Sequence, residues 1–202
     1  MKAVKNFCIR LASPEDAGDL LAIYSPYVIS EDLTLSTVSF EYDLPTVEEF
    51  RERIQHISST YPYLVAELEG RPVGYAYAHP LSERAAYQWG AELSIYIDSQ
   101  GQYSDLGRQL YSLMEELLRL MGIVTTYACI TASNAHSIGF HSAMGYKLVG
   151  TYEKGGFKKG KWLDVAWMAK DIQEHPEKPA LITGFPQLDK KLIQEVLEKA
   201  NR

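Results

Sequence analysis

Apolar residues along this chain switch between two spacings. From Leu106, leucines recur at Leu110, Leu113, Leu117 and Leu120, three- and four-residue steps that put them on one side of an α-helix, and Gly122 supplies the stop. In "TVEEFRERIQHI" the apolar Val47, Phe50 and Ile54 share a helical face, opened by a capping box of Thr46 and Glu49. "SPEDAGDLLAIYSPYV" starts a helix in the same manner, with Ser13 as cap, Pro14 at the first helical position and Asp16 closing the box. "NFCIRLA", "YLVAELEG", "PVGYAYAHP", "YQWGAELSIYI" and "TTYACIT" are instead β-branched and aromatic runs, broken by Gly70 and Pro80, and read as strands. "NAHSIGFHSAMG" predicts a short helix from near Asn134 to Gly145; "YKLVGTYEK" and "WLDVAWMAK" predict two closing strands, with "GGFKKGK" as a long hairpin loop between them.

The predicted order is β-α-α-β-β-β-α-β-α-β-β, an α/β (α+β) fold with a mixed sheet covered by helices. Past Asp171 the composition shifts to the proline-rich "QEHPEKPALITGFP", and "LDKKLIQEVLEKA" then makes an amphipathic helix. The expected division is a domain over 1–172 and a linker with an accessory helix over 173–202. The pattern contains no internal repeat.

Composition narrows the function classes. The 202 residues, 46% of them hydrophobic, suffice for one substantial core. A net charge of -6 argues against a nucleic-acid partner, and Lys158, Lys159 and Lys161 form the one basic cluster, expected to be a solvated turn. Cys8 and Cys129 lie apart in strand-like runs, which predicts reduced core thiols and a cytoplasmic protein. The start of the chain carries no export pattern, and no apolar run is long enough for a membrane span. His136 and His141 do not share a helical face, so no metal is expected, and no nucleophile elbow or Walker loop is present.

The stretch "YIDSQGQYSDLGRQLYSLMEELL" runs from a strand end through a polar turn into the leucine-striped helix. Free N–H groups at such a helix start make a cradle for phosphate. Asp105 sits in its middle. Upstream, in "AELSIYI", period two puts Ala91, Leu93, Ile95 and Ile97 on one face and Glu92, Ser94 and Tyr96 on the other, so Glu92 faces away from the most apolar side.

With these elements in this order, the chain resembles the GNAT acetyltransferases, and within them the phosphinothricin N-acetyltransferase group. "TVSFEYDLPTVEEF", "YPYLVAELEG", "AYQWGAELSIYI", "SNAHSIGFHSAMGY" and "GGFKKGKWLDVAWM" carry the resemblance, which spans Ile9 to about Ile172. It implies acetyl-CoA as cosubstrate, the amino group of a small amino-acid-like acceptor (phosphinothricin or methionine sulfoximine type), and a homodimer. The family's coenzyme turn, Gln/Arg-x-x-Gly-x-Gly/Ala, reads here Gln102, Tyr103, Ser104, Asp105, Leu106 and Gly107, followed by Arg108, so that only the ends match. An added carboxylate about 6 Å from a phosphate costs roughly 0.7 kcal/mol in water and about 3 kcal/mol at an effective dielectric near 20. The alternative that follows is a GNAT-fold binding or sensor module whose affinity for acetyl-CoA has been weakened or lost.

The resemblance places the pantetheine arm along Ile95, Tyr96 and Ile97, with further coenzyme contacts near Asn134. It assigns base catalysis to Glu92 and an acid or base role to His141. Arg84 is placed near the acceptor's acidic end, Ser39 and Phe40 in a lip over the acceptor, and Ser94 beside them. Trp162 and Asp164 match a closing-strand motif and read as structural.

Overall fold

In the computed structural model, which describes residues 7–101 and 103–201, seven strands form one sheet. They are β1 (Cys8–Leu11), β2 (Tyr63–Leu68), β3 (Arg71–Pro80), β4 (Gly90–Ile97), β5 (Thr125–Thr131), β6 (Lys147–Lys158) and β7 (Lys161–Asp171), in spatial order β1-β2-β3-β4-β5-β7-β6. Neighbours run antiparallel except β4 and β5. The helices are α1 (Ala17–Ile29), α2 (Leu33–Ser36), α3 (Val47–Ser58), α4 (Leu106–Met121), α5 (Ala135–Ala143) and α6 (Lys190–Ala200). Apart from the single turn α2, this is the order that the hydrophobic pattern predicts. Both capping boxes form: the Ser13 amide donates to Asp16 Oδ2 at 2.7 Å and the Thr46 amide to Glu49 Oε2 at 2.7 Å. Asn6 lies outside the described residues.

Period-two strands give the sheet two apolar faces. One packs Ala76, Ala78, Ala91 and Leu93 under the α4 leucines; the other carries Tyr63, Val65 and Tyr75 under Leu20 and Tyr24 of α1 and Phe50 and Ile54 of α3. The C-terminal stretch belongs to the first core. Phe185, Ile193 and Val196 are buried in it, and the Asn201 side chain pairs with both backbone groups of Ile9, at 2.7 and 2.9 Å. The apolar face of α6 is thus spent within the chain, and Asn201 satisfies part of the open edge of β1.

Two expectations are corrected. "GGFKKGK" is no long loop: β6 and β7 stay paired out to Lys158 and Lys161, closed by the two-residue turn Lys159-Gly160 with both residues at positive φ. The extra residues are absorbed lower down by an irregularity between Tyr152 and Gly156, where Lys154 takes φ 51° and its amide bonds Asp164 Oδ1 at 2.7 Å. The glycines that suggested a loop serve a close approach instead, because a Cβ on Gly156 would stand 2.1 Å from the Phe40 ring. The cysteines are free but exposed. Cys8 points outward by strand alternation, and Cys129 is the exposed position of β5, between the buried Ala128 and Ile130 that face the other way.

Candidate active site

β4 and β5 are in register only from Gly90↔Thr125 to Glu92↔Tyr127. Beyond that β4 continues along β3 as far as Ile97, and β5 along β7 as far as Thr131, so the two strands part with their outer edges fully paired. The Asp98 amide bonds Val73 on the β3 side, at 2.9 Å, and by alternation the backbone groups of Leu93, Ile95 and Ile97 turn to the gap. One of them is taken: Tyr27 Oη donates to the Ile97 carbonyl at 2.5 Å.

The gap opens into a cavity of about 380 Å³, walled by Ile95 and Ile97, by Tyr103, Ser104, Asp105, Gly107 and Arg108 at the start of α4, and by Asn134 and Phe140 of the α5 region. The tyrosine, serine, aspartate, glycine and arginine singled out in the turn therefore meet in one place; Leu106 is buried behind them, and Gln102 lies outside the described residues. Asp105 takes φ +69°, the left-handed conformation, and its side chain makes no cap bond. The first-turn amides of an α-helix have no partners inside the helix, and here they border an open cavity. Asn134 Oδ1 accepts from the Ser137 amide at 3.0 Å, capping α5.

A narrower space of about 70 Å³ lies within the strand gap, lined among others by Ser94, Tyr96, Cys129, Tyr111 and His141. His141 is 2% exposed. Its Nδ1 lies 2.7 Å from the Ser137 carbonyl, which can only accept, so Nδ1 carries the proton and Nε2 accepts from Tyr111 Oη at 2.8 Å. Burial lowers the His141 pKa, against the opposing pull of the Ser137 carbonyl, which favours this neutral form. The Cys129 thiol meets solvent at the rim, yet the surrounding walls push its pKa up to about 11, with Glu92 adding to the rise.

Glu92 stands on the α1/α3 face of the sheet, level with His79 across the β3–β4 pair. Burial raises its pKa, and His79, whose Nε2 is 3.8 Å from Glu92 Oε2, pulls the other way. Ser94 follows on the same face, opposite Tyr77 in the β3–β4 register.

The lip lies above. Ser39 is 5% exposed and its hydroxyl is engaged with Tyr24 Oη at 2.6 Å and the Glu41 amide at 3.1 Å. Phe40 packs on Gly156. Arg84 stands apart: exposed, capping the short 3-10 segment Ala85–Tyr87, and lining none of these cavities. Tyr111, His79 and Tyr27 went unnoticed in the sequence. Tyr111 lies in the leucine stripe and reads as core, and His79 gains meaning only from its register with Glu92.

An Acetyltransferase (GNAT) domain model matches residues 9–167. The chain belongs to the GNAT acetyltransferase family. It is 32% identical over 175 residues to the phosphinothricin N-acetyltransferase of Streptomyces viridochromogenes, covering 87% of this chain and 94% of the relative. It is also 32% identical over 115 residues to the L-methionine sulfoximine/L-methionine sulfone acetyltransferase of Salmonella typhimurium, covering 57% and 67%. A crystal structure of a phosphinothricin acetyltransferase from Sinorhizobium meliloti, in complex with AcCoA, superposes with a TM-score of 0.79 at 31% identity, covering 87% of this chain and 94% of that one. Among the described residues no group of three or more His, Cys, Asp or Glu could hold a metal ion, and no helix is long and apolar enough to cross a membrane.

Proposed function

We propose that this GNAT protein is an N-acetyltransferase that moves an acetyl group from acetyl-CoA to the amino group of a small amino-acid-like acceptor, of the phosphinothricin or methionine sulfoximine type. The observation that carries the reading is the parting of β4 and β5: beyond the pair Glu92↔Tyr127 it joins the cavity at the α4 start to a narrower space lined by Ser94 and Tyr96, which follow Glu92 on the same face of β4. The amides at the α4 start cradle the diphosphate, and the strand gap takes the pantetheine arm. The free amide of Ile95 or Ile97 stabilises the oxyanion as the amine attacks the thioester carbonyl. Glu92 accepts the ammonium proton, and its raised pKa suits that task near neutrality. In this reading the Tyr111 hydroxyl, which donates to His141 Nε2 at rest, turns its one proton to the departing thiolate as the thioester breaks. No covalent enzyme intermediate is needed.

The alternative, a binding module that no longer holds acetyl-CoA, rests on Asp105. Against it stands the backbone of the turn, since Asp105 adopts the positive φ that glycine takes easily and leaves the cavity open. A solution assay separates the two. Thiol release from acetyl-CoA, dependent on an added amino acid and lost in Glu92→Gln, supports transfer. Absence of saturable acetyl-CoA binding in the unaltered protein sinks it.

The functional unit in this reading is a homodimer in the cytoplasm, without nucleic-acid or membrane partners. β6 is a long edge strand, and Leu148, Val149 and Tyr152 on it are 62–65% exposed, an apolar edge of the kind that pairs with another chain. Sedimentation of the unaltered protein and a Val149→Lys variant tests this, with a shift to monomer expected in the variant.

A further inference from the structure

The lysine hairpin is left unused by the reaction outlined above. The sequence suggests a solvated turn, but Lys158 is 2% exposed and its Nζ donates to the Ser39 carbonyl at 2.7 Å. Its ammonium is committed to holding the lip, and burial, reinforced by Lys159, lowers its pKa. Lys159 and Lys161 are exposed, and with Lys158 they border a cavity of about 500 Å³ closed on the other sides by Thr34 and Thr37 and by Ser133, Asn134 and His136 at the start of α5. Asn134 and His136 are also part of the donor cavity, so the two spaces are separated by one wall. In a protein of net charge -6, the exposed Lys159 and Lys161 at this cavity have no carboxylate within ion-pair distance among the described residues, and neither has the buried Lys158 beside them. Glu41 is the acidic group whose field reaches Lys158, and its carboxylate is paired with Arg53 at 2.6 Å.

We propose that this cavity is a second anion site, in which Lys159 and Lys161 bind a phosphate or carboxylate group borne by one of the two reactants while Lys158 keeps the lip in place. The identity of the reactants rests on the acetyltransferase reading; the site itself does not. Two sources fit the chemistry: the 3′-phosphate of the coenzyme, reached past Asn134, or a second acidic group on the acceptor. Charge-assisted bonds from two lysines suit either.

The test compares the unaltered protein with a Lys159→Asn/Lys161→Gln variant. Asparagine is chosen because Lys159 has φ +50° and asparagine tolerates that conformation; Lys161→Arg serves as the variant that retains charge. Inorganic phosphate is titrated first, followed by amide NMR shifts of Gly160 and Lys161, which requires no turnover. Saturable shifts lost in the neutral variant and kept with arginine are expected. No shift, or an equal one in the neutral variant, overturns the site. CoA and dephospho-CoA are then titrated calorimetrically, and KM is measured for an acidic and a neutral amino acid. About tenfold weaker binding of CoA alone assigns the 3′-phosphate. A similar rise in KM for the acidic acceptor alone assigns the acceptor, and no change in either overturns occupation by a reactant. Failure of the acetyltransferase reading shows separately, as absent CoA binding and thiol release in the unaltered protein.

Discussion

The proposed donor and acceptor sides of the cleft are built in different ways. The turn of the proposed donor side is one continuous stretch, Tyr103 to Arg108, at the start of the most regular helix in the chain. The acceptor side is assembled from distant segments: Glu92 against His79, the lip at Ser39 tied to Lys158 and Tyr24, and Phe40 laid on Gly156. In the local part of the cleft the turn keeps an open cavity beside an unusual residue, because Asp105 takes the left-handed conformation that the backbone needs there. A composite site depends on every strand register that contributes.

The largest expected effect isolates the acceptor side. Glu92→Gln removes the proton acceptor and is expected to lower kcat/KM about 10²- to 10⁴-fold, with acetyl-CoA binding unchanged in a calorimeter. A drop in binding instead would mean that the two sides are one unit. The same substitution has a stability signature. Burial raises the Glu92 pKa above its unfolded value, so the folded protein binds the extra proton and stability is lost as pH rises through the folded pKa. The variant is therefore expected to gain in Tm over the unaltered protein as pH climbs above the ordinary glutamate range, with the gap closing in acid.

Tyr111→Phe probes the seam between the sides. It strips His141 Nε2 of its donor, with a cost of about 1–3 kcal/mol for an unsatisfied buried group, and removes the proton proposed for the thiolate. A fall in kcat of about tenfold to a hundredfold, with KM for both substrates nearly constant, is expected from steady-state kinetics. Next comes the donor side alone. Asp105→Gly relieves the left-handed strain and removes the carboxylate, and acetyl-CoA is expected to bind about tenfold more tightly, less so at high salt. Asp105→Asn separates the charge from the backbone contribution. An unchanged Kd in both variants would remove Asp105 from any account of coenzyme affinity. The smallest effect lies far from the cleft. Asn201→Ala breaks two bonds to Ile9 and is expected to cost about 1–2 kcal/mol in chemical denaturation while leaving kinetics untouched.

Legibility followed the same divide. The α4 stripe, both capping boxes and the turn that leads into α4 could be read because each depends on residues a few positions apart. "GGFKKGK" was misread because glycine and lysine favour turns locally, whereas pairing with β7 and the approach of Phe40 make it a strand. The cysteines are free as expected but not in the core, because an apolar strand does not say which of its alternating positions face inward. Family motifs could mark Glu92 and His141, but not the burial that raises one pKa and lowers the other.

Sequence alone determined the five longer helices, the two capping boxes, the order of strands along the chain and the polar turn before α4, since backbone propensity and hydrophobic period act over one or two turns of chain. Tertiary structure decided where β4 leaves β5, which carbonyls and hydroxyls are already engaged, and that a lysine expected in solvent is buried beneath the lip. Those outcomes depend on strand register and on desolvation by segments more than a hundred residues away, as in the 119-residue separation of Lys158 from Ser39. No local pattern encodes them, because the free energy that selects them exists only once the sheet has closed around the cleft.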